Sequence, residues 1–191
     1  MSPRKAVEQE LTREIIMDTA RELFMKNGYE HVSMRQISKA LGYSHGAIYY
    51  HFKNKAGLFY ELVKADFFLL DQTLEDIMNK PLDPESKLKE VFLGFIEFGL
   101  THQSHYEIMF LIKDEEVRSC QQEEPNLSYE KFAKAVFSLC GNQVTLTEIW
   151  SMFLSLHGFV SHYCRSGQTY EDVRSLAETH VNFILRVMLR K

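Results

Sequence analysis

Helix-start patterns followed by apolar residues at helical spacing recur along this chain of 191 residues. Ser33, Ser104, Thr145 and Thr169 each stand three residues before Gln, Glu or Asp, which is the spacing of a capping box. A stripe of large apolar side chains between Phe59 and Ile77 runs for about five turns of a helix. No segment alternates between polar and apolar residues for long enough to form a strand, and only four Pro and nine Gly interrupt the chain. The sequence therefore predicts an all-α fold of about nine helices.

The stretch Gly28–Leu58 (GYEHVSMRQISKALGYSHGAIYYHFKNKAGL) is typical of two short helices joined by a tight turn, followed by the start of a third helix. Gly42 interrupts the helical pattern, and Asn54 is placed to cap the third helix. Polar, aromatic and basic residues cluster on the second helix, which starts after Ser44, and just beyond it. This layout predicts a helix-turn-helix domain that binds DNA.

The helix that follows Ser44 has features of a helix that enters the major groove. Its N-terminal N–H groups carry a partial positive charge that suits phosphate. We expect Ser44 and His45 to reach base edges or phosphates, and Gly46, which lacks a side chain, to allow close approach. The alternative is a three-helix bundle with a polar face, in which the aromatic residues fill the core.

Positive charge is concentrated at this end of the chain. Residues 1–60 contain nine Lys and Arg against six Asp and Glu, whereas residues 61–191 contain 13 against 20. The basic surplus at the proposed DNA-binding helices fits a nucleic-acid partner, and the acidic remainder should stay away from phosphates.

The clearest boundary in the chain is the sequence KPLDP at positions 80–84, where Asp83 is placed to cap a helix. The predicted organisation is a helix-turn-helix DNA-binding domain over residues 1–53, a connecting helix over 54–80, and a helical bundle over 81–191.

Cysteine usage and the N-terminal sequence bear on the compartment. Cys120, Cys140 and Cys164 are odd in number and form no CxxC pattern, which favours a reducing compartment over a disulfide framework or a zinc site. The N-terminus has no apolar signal-peptide core, and no run approaches the length of a membrane span. We therefore predict a cytoplasmic protein with no membrane partner.

The segment Gly46–Lys55 (GAIYYHFKNK) resembles the most diagnostic part of the N-terminal signature of the TetR family of bacterial transcriptional repressors. The resemblance covers about residues 11–60, and the C-terminal part resembles the family only weakly. This is expected of a variable domain, and the resemblance implies that residues 81–191 form a helical ligand-binding and dimerisation bundle. Mild departures from the family pattern are found at Ser33, Ser38, Tyr43 and Ala56.

The resemblance implies a homodimeric repressor that binds a palindromic DNA operator and is released by a small, largely apolar effector. It implies that the last two long helices form the dimer interface. The broad apolar face of the final helix independently favours a partner, although burial within its own subunit is the alternative. The phosphate contacts that the resemblance implies are made by Tyr49, Tyr50, His51 and Lys55, with Ser33 and Arg35 at the flank.

The effector would bind among the helices predicted over 84–102, 105–112, 127–140 and 145–166, because apolar walls with few polar groups are typical of a ligand pocket. The predicted pocket residues are Phe92, Phe95, His102, Tyr106, Met109, Phe110, Trp150, Phe153 and His157. The alternative is that these side chains only fill a core. The protein would then be a ligand-independent DNA-binding adaptor that acts through a protein partner, and the region near Trp150 would contain no cavity.

Other kinds of site are disfavoured. No GxSxG, phosphate-binding loop or HExxH pattern is present, so we predict neither an enzyme nor a cofactor. A metal site needs three or four converging ligands, and the helix start predicted at Ser104 separates His102 from His105. Cys120 lies in the acidic stretch 114–126, which is predicted to be a loop. Carboxylates there should raise the pKa of its thiol, which disfavours a redox role.

Overall fold

The computed structural model describes residues 10–112 and 124–189, which form nine α-helices and no strand. The helices are α1 (Arg13–Asn27), α2 (Met34–Leu41), α3 (His45–His51), α4 (Lys55–Met78), α5 (Pro84–Thr101), α6 (Gln103–Tyr106), α7 (Glu124–Cys140), α8 (Leu146–Tyr163) and α9 (Tyr170–Met188). A π-helical turn, Glu107–Leu111, continues α6, and a 3₁₀ turn, Gly141–Gln143, follows α7. The predicted all-α fold is confirmed. No helix in the described ranges combines the length and apolarity needed to span a membrane.

Capping boxes begin three of these helices at the predicted positions. In α2, the Ser33 hydroxyl accepts a hydrogen bond from the Gln36 N–H, and the Gln36 side chain accepts one from the Ser33 N–H. Thr145 and Thr169 form the same arrangement at the starts of α8 and α9. These caps satisfy N–H groups that have no partner within the helix, so the sequence alone determines where these helices begin.

The capping box predicted at Ser104 is wrong. Helix α6 starts after His102, without a side-chain cap. The carboxylate that the box requires belongs to Glu107, which is buried and forms an ion pair with Arg165 at the end of α8. A long-range ion pair therefore takes the place of the local cap.

The start of α7 also differs from the prediction. Glu124, Pro125 and Asn126 form its first turn, although the sequence assigned them to the loop 114–126. Proline fits a first helical turn because its missing N–H would have no partner there. The rest of the predicted loop, including Cys120, lies outside the described residues.

The first core joins α1, α2, α3 and the first half of α4. Its fully buried members include Ile16, Phe24, Ile37, Ile48, Leu58 and Phe59. Phe98 of α5 and Met109 of the π-helical turn pack against the same core. Hydrophobic packing therefore continues across the predicted boundary at residue 81, and the division into domains stays a prediction.

Helix α5 lies at the centre of the second core, in contact with α4, α7, α8 and α9. At Gly99 a Cβ would lie 2.4 Å from Val160 Cγ1 and 2.9 Å from the Tyr106 ring. At Gly94 a Cβ would lie 2.6 Å from Ile77 Cδ1. Glycine at these two positions allows α5 to approach its neighbours closely.

A buried ion pair joins α1 to α4 beside the first core. Arg21 of α1 donates two hydrogen bonds to Asp66 of α4, at 2.5 and 2.7 Å. His105 Nδ1 of α6 lies 2.9 Å from the same carboxylate. Asp66 is only 1% exposed, so its charge is compensated by these partners rather than by water. The α1–α3 unit is thereby attached to both α4 and α6.

Candidate functional site

Helix α3 is anchored on one face and exposed on the other. Ile48 and Phe52 are buried in the first core, and the Ser44 hydroxyl caps the helix by accepting a hydrogen bond from the Ala47 N–H. The exposed face carries His45, Gly46, Tyr49 and Tyr50. With its side chain 88% exposed, Tyr50 projects into solvent. No apolar side chain among the described residues 10–112 and 124–189 covers this face, which suits contact with another molecule.

Ring contacts order the side chains of this surface. The His45 and Tyr49 rings lie 4.5 Å apart, and the Tyr50 and His51 rings lie 5.3 Å apart. All four residues belong to α3, so this short helix supplies both ring contacts.

Lys55 lies in the first turn of α4, where its ammonium already has a partner. Its Nζ donates to the Tyr29 carbonyl at 3.0 Å and lies 3.9 Å from the centre of the Tyr29 ring. This contact holds the Lys55 side chain in place. An ammonium has three N–H donors, so others remain for a phosphate.

The two residues predicted at the flank lie on α2 or at its cap. Ser33 and Arg35 are both exposed. The Ser33 hydroxyl donates to Gln36 Oε1 at 2.8 Å, so a phosphate could accept that proton only by displacing Gln36. The structure thus brings the predicted DNA contacts onto α2, α3 and the start of α4, and their roles stay predictions.

Arg13 is a basic residue beside this surface that the sequence analysis missed. Its NH1 donates to the His51 carbonyl at 2.7 Å, and its guanidinium carbon lies 4.2 Å from the centre of the Phe52 ring. Arg13 and His51 are 38 positions apart, so no local pattern places them together.

A narrow cavity lies between α4, α5, α7 and α8. The cavity has a volume of about 40 Å³ and lies within a partly open gap of about 490 Å³ that no atom fills. Such a shape admits a slender molecule more readily than a bulky one. The cavity is lined by Phe67, Leu70, Asp71, Thr73, Leu74, Ile77, Val91, Gly94, Phe95, Phe110, Pro125, Ser128, Tyr129, Phe132 and Phe153.

The predicted pocket residues are only partly brought together by the fold. Phe95, Phe110 and Phe153 line the cavity. Trp150 is 45% exposed and stacks on the outer side of the lining, 5.4 Å from the Phe153 ring. Those that lie elsewhere are Phe92 in the second core, Met109 in the first core, and His102 in a separate surface groove.

Tyr106 and His157 form a polar pair that does not line the cavity but contacts one of its walls. The Tyr106 hydroxyl lies 2.5 Å from His157 Nδ1. The rings of both residues contact Phe110, which does line the cavity. Burial raises the pKa of the Tyr106 hydroxyl and lowers the pKa of His157, so both groups are held in their neutral forms.

Helix α4 contributes much of the cavity wall, which the sequence analysis did not anticipate. Its Leu70, Leu74 and Ile77 belong to the apolar stripe that the sequence revealed. The stripe indicated a buried face, but it gave no sign of which part packs tightly and which part borders empty space.

An exposed apolar surface runs along α8 and α9. Leu154, Leu176, Phe183 and Val187 are between 47% and 63% exposed. Leu176 and Phe183 also border a shallow groove with Phe159 and Tyr163. Exposed apolar residues in one region usually mark a protein interface.

The described residues contain no group of three or more His, Cys, Asp or Glu side chains arranged to hold a metal ion. The rings of His102 and His105 lie 5.4 Å apart, and His105 is bonded to Asp66. Their arrangement is accounted for by packing and by the contact of His105 with the buried ion pair at Asp66.

Comparison with known proteins shows which proteins this chain resembles. Residues 16–62 match the model of bacterial regulatory proteins of the tetR family. The chain is 32% identical over 138 residues to the HTH-type transcriptional regulator AcrR of Shigella flexneri. That alignment covers 69% of this chain and 64% of the regulator, which is less than two thirds of its length.

Solved structures share the fold over nearly the whole chain. NalD, the secondary repressor of the MexAB-OprM multidrug efflux pump in Pseudomonas aeruginosa, is 25% identical, with a TM-score of 0.66 and 93% of each chain covered. FadR from Bacillus subtilis, solved in complex with stearoyl-CoA, is 18% identical, with a TM-score of 0.74 and coverage of 91% of this chain and 98% of FadR. The N-terminal helices, residues 16–62, therefore belong to the TetR family of bacterial regulatory proteins, and the chain as a whole shares the fold of a solved member of that family.

Proposed function

We propose that the protein is a cytoplasmic, DNA-binding transcriptional repressor that acts as a homodimer on a palindromic operator. The observation that carries this proposal is the exposed face of α3, where His45, Tyr49 and Tyr50 project from a helix held by Ile48 and Phe52. In a helix-turn-helix dimer, two such helices enter successive major grooves about 34–36 Å apart. The names of the similar proteins, several of which are repressors, support the same function.

The proposed dimer forms through α8 and α9. Their exposed apolar residues, among them Phe183 and Val187, would be covered by the same surface of a second copy, as a two-fold interface requires. The interface would fix the distance between the two α3 helices and hence the spacing of the operator half-sites.

We test DNA binding with Tyr49→Phe and Lys55→Ala, using the palindromic duplex that the wild-type protein selects from a random pool. Both variants should weaken binding to this duplex and to unrelated duplexes alike, because phosphate contacts carry no sequence information. Removing the Lys55 charge should also reduce the number of counterions released on binding by about one, as measured by the slope of log affinity against log salt concentration.

The matched control is Lys134→Ala, which removes an exposed Lys of α7 that pairs with Glu130. It should leave DNA binding unchanged. Wild-type affinity in both Tyr49→Phe and Lys55→Ala would refute the assigned phosphate contacts. A wild-type protein that selects no duplex would refute the function itself.

We further propose that a small, largely apolar effector binds the cavity and releases the protein from DNA. Helix α4 supports this coupling because it contributes Phe59 to the first core and Leu74 to the cavity wall. An effector that displaces α4 would therefore act on the helices that bind DNA, provided that it favours the non-binding form by a few kcal/mol. The stearoyl-CoA complex of FadR supports ligand binding within this fold.

The narrowness of the cavity is the observation that favours the alternative, a ligand-independent adaptor. Thermal unfolding with a panel of slender apolar compounds separates the two. A rise in melting temperature that depends on compound concentration supports a sensor. The absence of any rise, in a protein that still binds its duplex, supports the adaptor.

A further inference from the structure

One charged side chain lies in the wall of the cavity. Asp71 of α4 is only 8% exposed, and among the described residues that line the cavity it is the only one with a charge. The other lining groups are apolar apart from the neutral side chains of Thr73, Ser128 and Tyr129. A carboxylate in such a wall is costly unless a cation or hydrogen-bond donors compensate it.

Two partners compensate Asp71. The Ser128 hydroxyl donates to Oδ1 at 2.6 Å from within the cavity lining. Lys131 Nζ lies 2.6 Å from Oδ2, but this residue does not line the cavity, and its side chain is 52% exposed. Asp71 therefore borders the apolar space, while its cation approaches from the solvent side and can return to water.

The surroundings of Lys131 are acidic. The hydrogen bond to Asp71 raises the pKa of the Lys131 ammonium, and the charges of Asp71, Glu75 and Glu124 act in the same direction. Residues 61–191 as a whole contain 20 Asp and Glu against 13 Lys and Arg. This field attracts a positively charged molecule and repels a negatively charged one.

We propose that the cavity binds a slender apolar molecule that ends in a primary ammonium group, and that this group replaces Lys131 at Asp71. The ligand ammonium would donate to the Asp71 carboxylate in place of Lys131 Nζ, next to the Ser128 hydroxyl. Its apolar body would lie along Leu74, Phe95 and Phe153. The displaced Lys131 would move into solvent near Glu75 and Glu124. This assignment rests on the proposed sensor function, for which it names the ligand class.

Three probes of equal length and different charge test the proposal: octylamine, octan-1-ol and octanoate. Binding is followed by the fluorescence of Trp150, the single tryptophan of the chain, which stacks on the cavity residue Phe153. Calorimetry provides an independent affinity. Octylamine should bind at least about tenfold more tightly than octan-1-ol, and octanoate should bind most weakly.

Two substitutions identify the carboxylate and its competitor. Asp71→Asn should weaken octylamine binding by about tenfold or more while changing octan-1-ol binding little. Lys131→Gln should strengthen octylamine binding, because the cation that competes for Asp71 is gone. The matched control is Asp76→Asn, an exposed carboxylate on the same helix that does not line this cavity, which should leave all three affinities unchanged.

Several results would overturn the assignment. Tightest binding of octanoate, or weaker binding of the preferred probe in Lys131→Gln, would indicate an anionic ligand. Equal binding of the three probes would indicate a purely apolar site, and failure of all three to bind would remove the site. Because Lys131→Gln retains Asp71, it keeps the test decisive even when Asp71→Asn does not fold.

DNA binding without any probe is measured separately, so failure of this inference is distinguishable from failure of the proposed regulator. Octylamine that binds as expected but leaves duplex affinity unchanged would preserve the ligand assignment and refute the sensor function on which its biological role depends.

Discussion

The surface around α3 and the cavity behind α4 are constructed in opposite ways. The predicted DNA contacts lie within residues 33–55, on consecutive helices, and most are exposed. The cavity lining comes from residues between 67 and 153, on helices distant in the sequence, and its members are buried or half-buried. A surface of the first kind depends on local helix starts and turns, whereas the second depends on how several helices pack. Helix α4 contributes to both regions, and the ion pair at Asp66 connects it to α1.

The largest expected effect is at that connection. Asp66→Ala would leave the Arg21 guanidinium buried without its carboxylate, since Arg21 is only 8% exposed. Breaking such a pair should lower the free energy of unfolding by about 3–5 kcal/mol, which urea denaturation would measure. Asp71→Ala, five residues along the same helix, should cost clearly less, because its partner Lys131 can turn into solvent.

Equal losses of unfolding free energy in Asp66→Ala and Asp71→Ala would contradict the view that the Arg21–Asp66 pair matters more for stability than the charged group in the cavity wall. Replacing both partners, as Arg21→Met with Asp66→Leu, should restore most of the stability, because two apolar side chains leave no buried charge. Failure of this double variant to recover would point instead to a need for the His105 contact.

Two glycines of α5 test whether the cavity makes the second core more tolerant. Gly99→Ala places a Cβ against Val160 and the Tyr106 ring, so overpacking should destabilise the protein by about 1–3 kcal/mol. Gly94→Ala meets only the end of Ile77, a flexible side chain that borders the cavity. Rotation of Ile77 into that space should keep the loss below about 1 kcal/mol.

Thermal and urea unfolding of both variants measure this difference. Gly94→Ala should in addition weaken ligand binding, because Ile77 would occupy part of the cavity. Equal destabilisation by the two substitutions would indicate that the space near Ile77 is as tightly packed as the α5–α8 contact.

The smallest expected effect concerns pH. Burial lowers the pKa of His157 and of His102 below their ordinary value of 6.5. As pH falls below that value, the unfolded chain therefore binds protons more readily than the folded one, and stability should decrease. Urea midpoints between about pH 7.5 and 5.5 should show this decrease, and His157→Gln should reduce it.

The exposed His45→Gln variant controls for loss of an imidazole as such. A wild-type pH dependence in His157→Gln would exclude His157 as a source. An increase of stability toward low pH would contradict the sign of both shifts.

The sequence predicted most of what local interactions determine. The caps at Ser33, Thr145 and Thr169 and the position of α3 required only short-range hydrogen bonds and turns. The prediction of a cap at Ser104 was wrong because Glu107 pairs with Arg165, 58 positions away. Such a choice depends on packing between helices, which no short pattern encodes.

The cavity was less predictable for the same reason. Periodicity identified the buried face of α4, but whether Leu74 meets another side chain or empty space depends on the spacing of α4, α5 and α7. Trp150 was expected in the wall because it is large and aromatic, yet it stacks outside Phe153. Asp71 carried no sequence signal at all, since an acidic residue on a long helix is usually solvated.

The ion pair between α1 and α4 also determines which segment could be exchanged between related proteins. Arg21 and Asp66 are 45 positions apart, on opposite sides of the end of α3. A graft of residues 1–53 onto a foreign C-terminal part would separate Arg21 from Asp66 and leave its charge to whatever residue the foreign helix presents there. A transplantable DNA-binding unit must therefore extend past Asp66, and operator specificity would be inherited together with the first half of α4.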